Sequence, residues 1–223
     1  IKKLENESTL LQYKVGHPIC NKKDLIPNKV LIILSGEARI LHGTTFESKT
    51  ITKIGSDSFI GLASLLRAKG CELITASSDV LALAIPDKLI LDLYKQEKEF
   101  RTWCNKNIEK AEVYELAYQL IQKSNSYEND LNIKNIYETL LNKLQINTYK
   151  NDQKLVSIKN HISFAGSANI HKKIIGDTFE DNETILKDGP VEARVFYLDE
   201  NVYNSLFKNT IIQKNNDSIR KVI

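Results

Sequence analysis

The sequence predicts an α+β protein: an antiparallel β-roll of jelly-roll type with flanking helices in the first half, and a smaller α+β region in the second. Three observations predict it. From Thr9 to Ile85 short apolar runs alternate with glycine and proline punctuation, and six of the nine glycines fall at or before Gly70; many short strands joined by turn glycines read as a compact roll or barrel. After Pro86 the apolar positions switch to helical spacing. Beyond a polar stretch at Ser124–Asp130 helical and strand-like segments alternate again.

The elements follow in order. Leu11, Tyr13 and Val15 alternate toward Gly16 and Pro18, the pattern of a half-buried strand and its turn. Val30–Leu34 is a continuous apolar run closed by Ser35-Gly36, with Glu37-Ala38-Arg39 as the return strand, and Val80–Ile85 is a second such run. Pro86 suits the first turn of a helix that carries Leu89, Ile90 and Leu93. Phe100, Trp103, Cys104, Ile108 and Ala111 form one stripe and Val113, Leu116, Ala117, Leu120 and Ile121 another, offset from it. The offset predicts a break near Asn107, with a short helix before it and a longer one over Ile108–Lys123. Phe100, Trp103 and Tyr114 lie on these stripes and are read as packing against the roll, not as holding a cofactor.

The expected division is a roll with its helices at 1–123, a linker at 124–130 and a small α+β region at 131–223. In that last region Ile133–Gln145 reads as a helix, Lys154–Lys159, Ile162–Ala165 and Val191–Asp199 as strands, and Asn201–Lys208 as a closing helix. A weak echo between Gly55-Ser56-Asp57 and Gly176-Asp177-Thr178, and between Ala82–Leu93 and Val195–Leu206, leaves open a partial second roll.

Composition narrows the function. With 42% apolar and 26% charged residues in 223 positions, the chain is expected to bury a core. Lys and Arg number 31 against 28 Asp and Glu, interspersed along the chain, so nucleic acid is not an expected partner. The longest apolar stretch, Val80–Leu93, is interrupted by Pro86-Asp87-Lys88 and falls short of the roughly 20 residues of a membrane span. Cys20, Cys71 and Cys104 are read as free thiols of a reducing compartment, and Ile1–Glu7 lacks the order of a secretory signal, so the expected location is cytoplasmic. The start at Ile1 and the lack of any Met suggest a piece of a longer protein.

The functional reading rests on Gly55 to Asp79. Gly61 stands between an apolar pair and the small helical turn Ala63-Ser64-Leu65-Leu66. A glycine there lets backbone approach a ligand, and the N–H groups opening the turn attract an anion such as phosphate. With the strand–turn–strand of Val30–Arg39 before it, and Ala76, Asp79, an apolar strand, Pro86 and an amphipathic helix after it, the order of landmarks resembles the cyclic-nucleotide-binding domain family over roughly Thr9–Lys123. That family includes the catabolite activator protein, kinase regulatory subunits and gated channels.

The resemblance implies a ligand cassette that reads Phe-Gly-Glu-x-Ala/Ser-Leu-Leu, with an arginine ahead of the alanine placed at Ala76. In the family the glutamate binds the ribose 2′-hydroxyl, the arginine pairs with the cyclic phosphate and backbone amides complete the cradle. The implied ligand-binding set here is Ile60, Gly61, Leu62, Ala63, Ser64, Leu65 and Arg67. Leu62 stands at the glutamate position and Gly70 or Cys71 at the arginine position, so both charged contacts are lost. Arg67 and Lys69 read first as solvated loop charges and second as phosphate contacts, and Glu72 would repel a phosphate. If each charge-assisted bond contributes roughly 1.5 to 3 kcal/mol, their joint loss weakens binding by about two to four powers of ten. Weak or absent cAMP and cGMP binding and no resident cofactor are expected, with a more apolar small molecule or no ligand in the cassette.

A second resemblance covers about Ile162–Leu198. Ile162–Ile170, Ile174-Ile175-Gly176-Asp177 and Gly189–Val195 are similar to the segment that follows a degenerate cyclic-nucleotide-binding domain in cyanobacterial peptide (bacteriocin) exporters of the ABC class. It implies a regulatory or docking part at the inner face of a membrane, with the rest of a transporter as partner and a homodimer left open. The chain holds no Gly-rich phosphate loop, Gly-x-Ser-x-Gly elbow or peptidase Cys–His context, and His17, His42, His161 and His171 are isolated. No enzyme and no metal site are therefore expected. The alternatives are a transcription regulator of the catabolite-activator type, for which Ile133–Leu144 offers one helix without a recognition helix behind it, and a ligand-free docking module.

Overall fold

The computed structural model describes residues 2–21, 25–43, 48–124 and 132–207. After a short helix α1 (Lys2–Glu7) come β1 (Thr9–Tyr13), β2 (Pro18–Cys20), β3 (Lys29–Ser35), β4 (Ala38–Gly43), β5 (Ser48–Ile54) and β6 (Phe59–Ile60). Then follow α2 (Leu62–Leu66), β7 (Ile74–Ala76), β8 (Val80–Pro86), α3 (Asp87–Gln96), α4 (Lys98–Lys106) and α5 (Lys110–Ser124). The second half holds α6 (Ile133–Lys143), β9 (Gln145–Tyr149), β10 (Gln153–Lys154), β11 (His161–Ala165), β12 (Thr184–Ile185), β13 (Ala193–Asp199) and α7 (Glu200–Phe207).

The first half is an antiparallel roll of two four-stranded sheets, ordered β1-β8-β3-β6 and β2-β7-β4-β5, with helices packed against it. This is the expected α+β class. The apolar runs predicted as buried strands, β3 and β8, pair with each other, Leu31 opposite Ala84 and Ile33 opposite Ala82. Their alternation serves two cores: Leu31 and Ile33 join the main cluster, while Val30 and Ile85 join a second one with Leu62, Leu66 and Leu89. Gly36 turns β3 into β4 at φ +90°, where a Cβ would lie 2.1 Å from the Asp79 carbonyl oxygen, so no other residue fits that turn without displacing backbone.

In the second half β13 is the central strand of a three-stranded sheet ordered β11-β13-β9, and β10 pairs with β12. The central strand alternates as β3 does: Phe196 and Leu198 enter the main cluster, while Ala193, Val195 and Tyr197 enter a third one. The pairing repeats that of the roll, since β1-β8-β3 and β2-β7 have the same order as β9-β13-β11 and β10-β12. Where β4 and β5 stand in the roll, the second half passes from β11 through an irregular segment to β12. The strand expected over Lys154–Lys159 is confined to Gln153–Lys154, because from Leu155, which is buried in the third cluster, the chain leaves the sheet. The helix α1 has no counterpart in the sequence reading, and of the expected linker at 124–130 only Ser124, the end of α5, lies within the described residues.

The expected break near Asn107 separates α4 from α5, with Asn107 itself extended (φ −94°, ψ 144°). Nine of the fifteen residues of α5 are buried, including the unbroken run Ala111–Ala117, so over that run the helix is covered on all sides. The roll lies on one flank and the second half on the other, and Leu116, Ala117 and Leu120 share the main cluster with Ile33, Ile40, Phe164 and Phe196. Full burial brings Glu112 and Glu115 inside as well, and an isolated buried carboxylate is costly. Arg194 answers Glu112. It lies on the same face of β13 as Phe196, a face otherwise apolar, and its Nε stands 2.6 Å from Glu112 Oε1 while Nη2 donates to Oε2 at 2.8 Å. Its Nη1 and Nη2 also donate to the carbonyls of Cys104 and Asn107 at 2.8 and 2.7 Å, clasping the α4–α5 elbow.

Arg194→Met is expected to destabilise the chain by about 3–5 kcal/mol, since it strands the Glu112 charge, and the double change Arg194→Met with Glu112→Met to recover most of that loss. Urea unfolding of the two variants checks this. A double variant no more stable than the single one would remove the pair from its place at the seam.

Candidate functional site

The cassette residues form one continuous buried segment. Ile60 ends β6, Gly61 takes φ +91°, and Leu62, Ala63, Ser64, Leu65 and Leu66 make the five-residue helix α2, all of them buried. A Cβ on Gly61 would fall 2.9 Å from the Lys29 carbonyl oxygen and from Pro27 Cγ, so the turn is tight as well as left-handed. Leu62 has no exposed surface and packs in the second cluster with Leu89 and Ile90. At this position the side chain belongs to the core.

Two donors at the start of α2 are already engaged. Glu72 Oε1 accepts from the Gly61 backbone N–H at 2.8 Å and Oε2 accepts from the Ser64 hydroxyl at 2.6 Å. Ser64 Oγ in turn accepts from the Cys71 N–H at 3.1 Å. Both carboxylate oxygens therefore face donors, and the position where an anion would meet the turn is filled from within the chain. Burial pushes the Glu72 carboxyl above the usual glutamate range and Glu112 adds to the rise, while the hydrogen bonds from Ser64 and Gly61 oppose it. Burial likewise pushes the neighbouring Cys71 thiol up to about 12, which leaves it a neutral packing group.

Arg67 departs from its reading as a solvated loop charge. It has no exposed surface, because α2 ends against the second half instead of in water. Its Nε donates to the Gly166 carbonyl at 2.7 Å, and its own carbonyl accepts from the Ala168 N–H at 2.8 Å. Among the described residues Nη1 and Nη2 have no hydrogen-bond partner. Burial works to lower its pKa, and the nearby Glu115 and Glu112 carboxylates help to outweigh that and hold the guanidinium above its ordinary value. The arginine is thus drawn toward the seam, to partners in a segment 99 residues further along the chain.

A cavity of about 240 Å³ lies inside the roll, between β4–β7 and the α4–α5 elbow, lined among others by Ile40, Phe59, Glu72, Trp103, Glu109 and Lys110. Trp103 packs on Phe59 with ring centroids 5.3 Å apart, as the expected packing role requires. Glu109 is the residue that sequence reasoning missed; its only sequence signal is a carboxylate at the start of a helix whose next turn is entirely buried. Burial, then Glu112 and Glu72, push its carboxyl up to about 7 against the pull of Arg194 and Lys110. Among the described residues no group of three metal-ligating side chains is present.

No protein-family model matches the chain, and no curated protein matches it either. Similar solved structures include a putative cyclic nucleotide-binding protein from Geobacter metallireducens, at 14% identity and a TM-score of 0.38, covering 45% of this chain and 73% of that one. A transcriptional regulator from Thermotoga maritima aligns at 22% identity and a TM-score of 0.40 over 46% of this chain and 81% of that one. The cAMP-bound PfPKA-R aligns over 99% of this chain and 81% of that one, at 15% identity and a TM-score of 0.35.

The proton on Glu109 sets a pH dependence. Its pKa rises from 4.5 in the free residue to about 7 on folding, so the folded chain holds the proton more tightly and stability falls as pH rises through that window. Glu109→Gln is expected to remove this part of the fall, a difference on the order of 2–3 kcal/mol between pH 5 and pH 7. Urea midpoints at the two pH values test it. An unchanged pH slope in the variant would rule the assignment out.

Proposed function

We propose that this chain is a non-catalytic regulatory or docking module, built on a cyclic-nucleotide-binding-like roll whose cassette is closed by its own Glu72. The observation that carries the reading is the pair of bonds from Gly61 and Ser64 to the two oxygens of that carboxylate. A cyclic phosphate entering here would have to displace Glu72 and lie beside its charge. No glutamate stands at Leu62 to meet a ribose, and Arg67 is engaged at Gly166. Weak or absent cAMP and cGMP binding follows.

In the same reading the second half is an incomplete copy of the roll, supported by its repeated strand order. Only four residues separate Phe179 from Thr184, where the roll places its cassette helix, so this copy has no cassette of its own. Its role is to hold α5 and the α4–α5 elbow from the side opposite the roll. A ligand or partner regulates such a module only if it favours one arrangement of that elbow over another. The likeness over Ile162–Leu198 supports a transporter as the attached machine. In the transcription-regulator alternative a second helix would follow α6, whereas β9 and β10 follow it here.

Calorimetry with cAMP and cGMP tests the proposal. The expected result is no binding tighter than about ten micromolar, a free energy near −7 kcal/mol. A clear saturable heat at lower concentrations would overturn the closed cassette.

A further inference from the structure

A second cavity, of about 370 Å³, is built jointly by the two halves. Tyr94, Lys95 and Arg101 line it from the α3–α4 corner, and Lys150, Lys187 and Glu192 from the second half. Four cations thus meet one carboxylate in a chain whose whole formal excess is +3. Among the described residues none of these four cations forms an ion pair. The one carboxylate is turned to other work, since Glu192 Oε2 accepts from Asn105 Nδ2 at 3.0 Å and from the Thr148 hydroxyl at 2.8 Å.

Two of the cations are held in place by backbone. Arg101 Nη1 donates to the carbonyls of Tyr94 and Lys95 at 3.3 and 2.9 Å, at the C-terminal end of α3. Lys187 Nζ donates to those of Gly189 and Val191 at 2.6 and 2.7 Å. The wall between them is fixed by Tyr94, whose hydroxyl donates to Asn105 Oδ1 at 2.7 Å and accepts from the Glu192 N–H at 3.3 Å. Pre-oriented donors and uncompensated positive charge in a concave site favour an anion, and one that carries several charges can meet cations on both walls at once.

We propose that this cleft is a ligand site for a small soluble anion bearing two or more phosphoryl charges, held between Lys95 and Arg101 of the first half and Lys150 and Lys187 of the second. It is separate from the roll cassette and does not depend on the reading of Glu72. The planar guanidinium of Arg101 matches a pair of phosphoryl oxygens, and the lysines supply mobile charge around it. A ligand that touches both halves binds the assembled chain in preference to the unfolded one, so it raises stability as well as showing affinity.

The test is calorimetry of the full chain with inorganic pyrophosphate, and separately with orthophosphate, in 150 mM salt. Saturable one-to-one binding of pyrophosphate, weaker binding of orthophosphate and a raised unfolding midpoint are expected. Lys95→Gln with Lys150→Gln, two lysines with no side-chain hydrogen bond among the described residues, should weaken pyrophosphate at least about tenfold while leaving the unliganded midpoint unchanged; Arg101→Gln should independently weaken pyrophosphate. Absence of saturable pyrophosphate binding at this salt, or equal affinity in both variants, would overturn the site.

Discussion

A charge placed beyond the reach of water needs an opposite charge beside it, and the seam of this protein is organised around one such pair, Arg194 and Glu112. Glu112 is inside because α5 is buried in a cluster to which both halves of the chain contribute apolar side chains. Arg194 reaches it from the central strand of the second half and uses its remaining donors on the carbonyls that the α4–α5 break leaves free. A helix break exposes backbone acceptors, so the same interruption that sets the elbow also creates the groups that tie it down. The geometry of the elbow is therefore shared property of the two halves.

Carboxylates recur around the cassette turn and the elbow behind it. Glu72 sits in the turn, Glu109 in the cavity behind it, and Glu112 and Glu115 three and six residues further on, in α5. Gly61 lies in the left-handed region with a short helix beginning behind it, and the side chain that meets this turn is acidic. A fold does not by itself set what its pocket accepts.

Much of this was legible in the sequence because it depends on local period and punctuation. The apolar runs that became β3 and β8, the offset stripes on either side of Asn107, and the turn at Gly36 all involve residues within a few positions of one another. Arg67 was not legible. A charged residue after a leucine pair at the end of a short helix reads as solvated, and the Gly166 carbonyl that receives it lies in another half of the chain. Glu72 was seen as a charge unsuited to a phosphate, but nothing local indicated that its two oxygens would fit the donors of Gly61 and Ser64. The strand expected from Lys154 failed for a similar reason: Leu155 and Ile158 continue its apolar pattern, and they pack in or against the third cluster without continuing the ladder.

The contact between Arg67 and Gly166 also has a consequence in time. Residues are added to a growing chain in order, at about 5–20 per second, and the cassette helix is complete 99 residues before its arginine acquires the carbonyl it donates to. For roughly 5 to 20 seconds of synthesis Arg67 is without that carbonyl. Strands β7 and β8 and helix α5 are all made within that interval. Gly166 follows directly on β11, and Phe196 of β13 comes 30 residues after it, so the partner of Arg67 is made before the cover over α5 is complete.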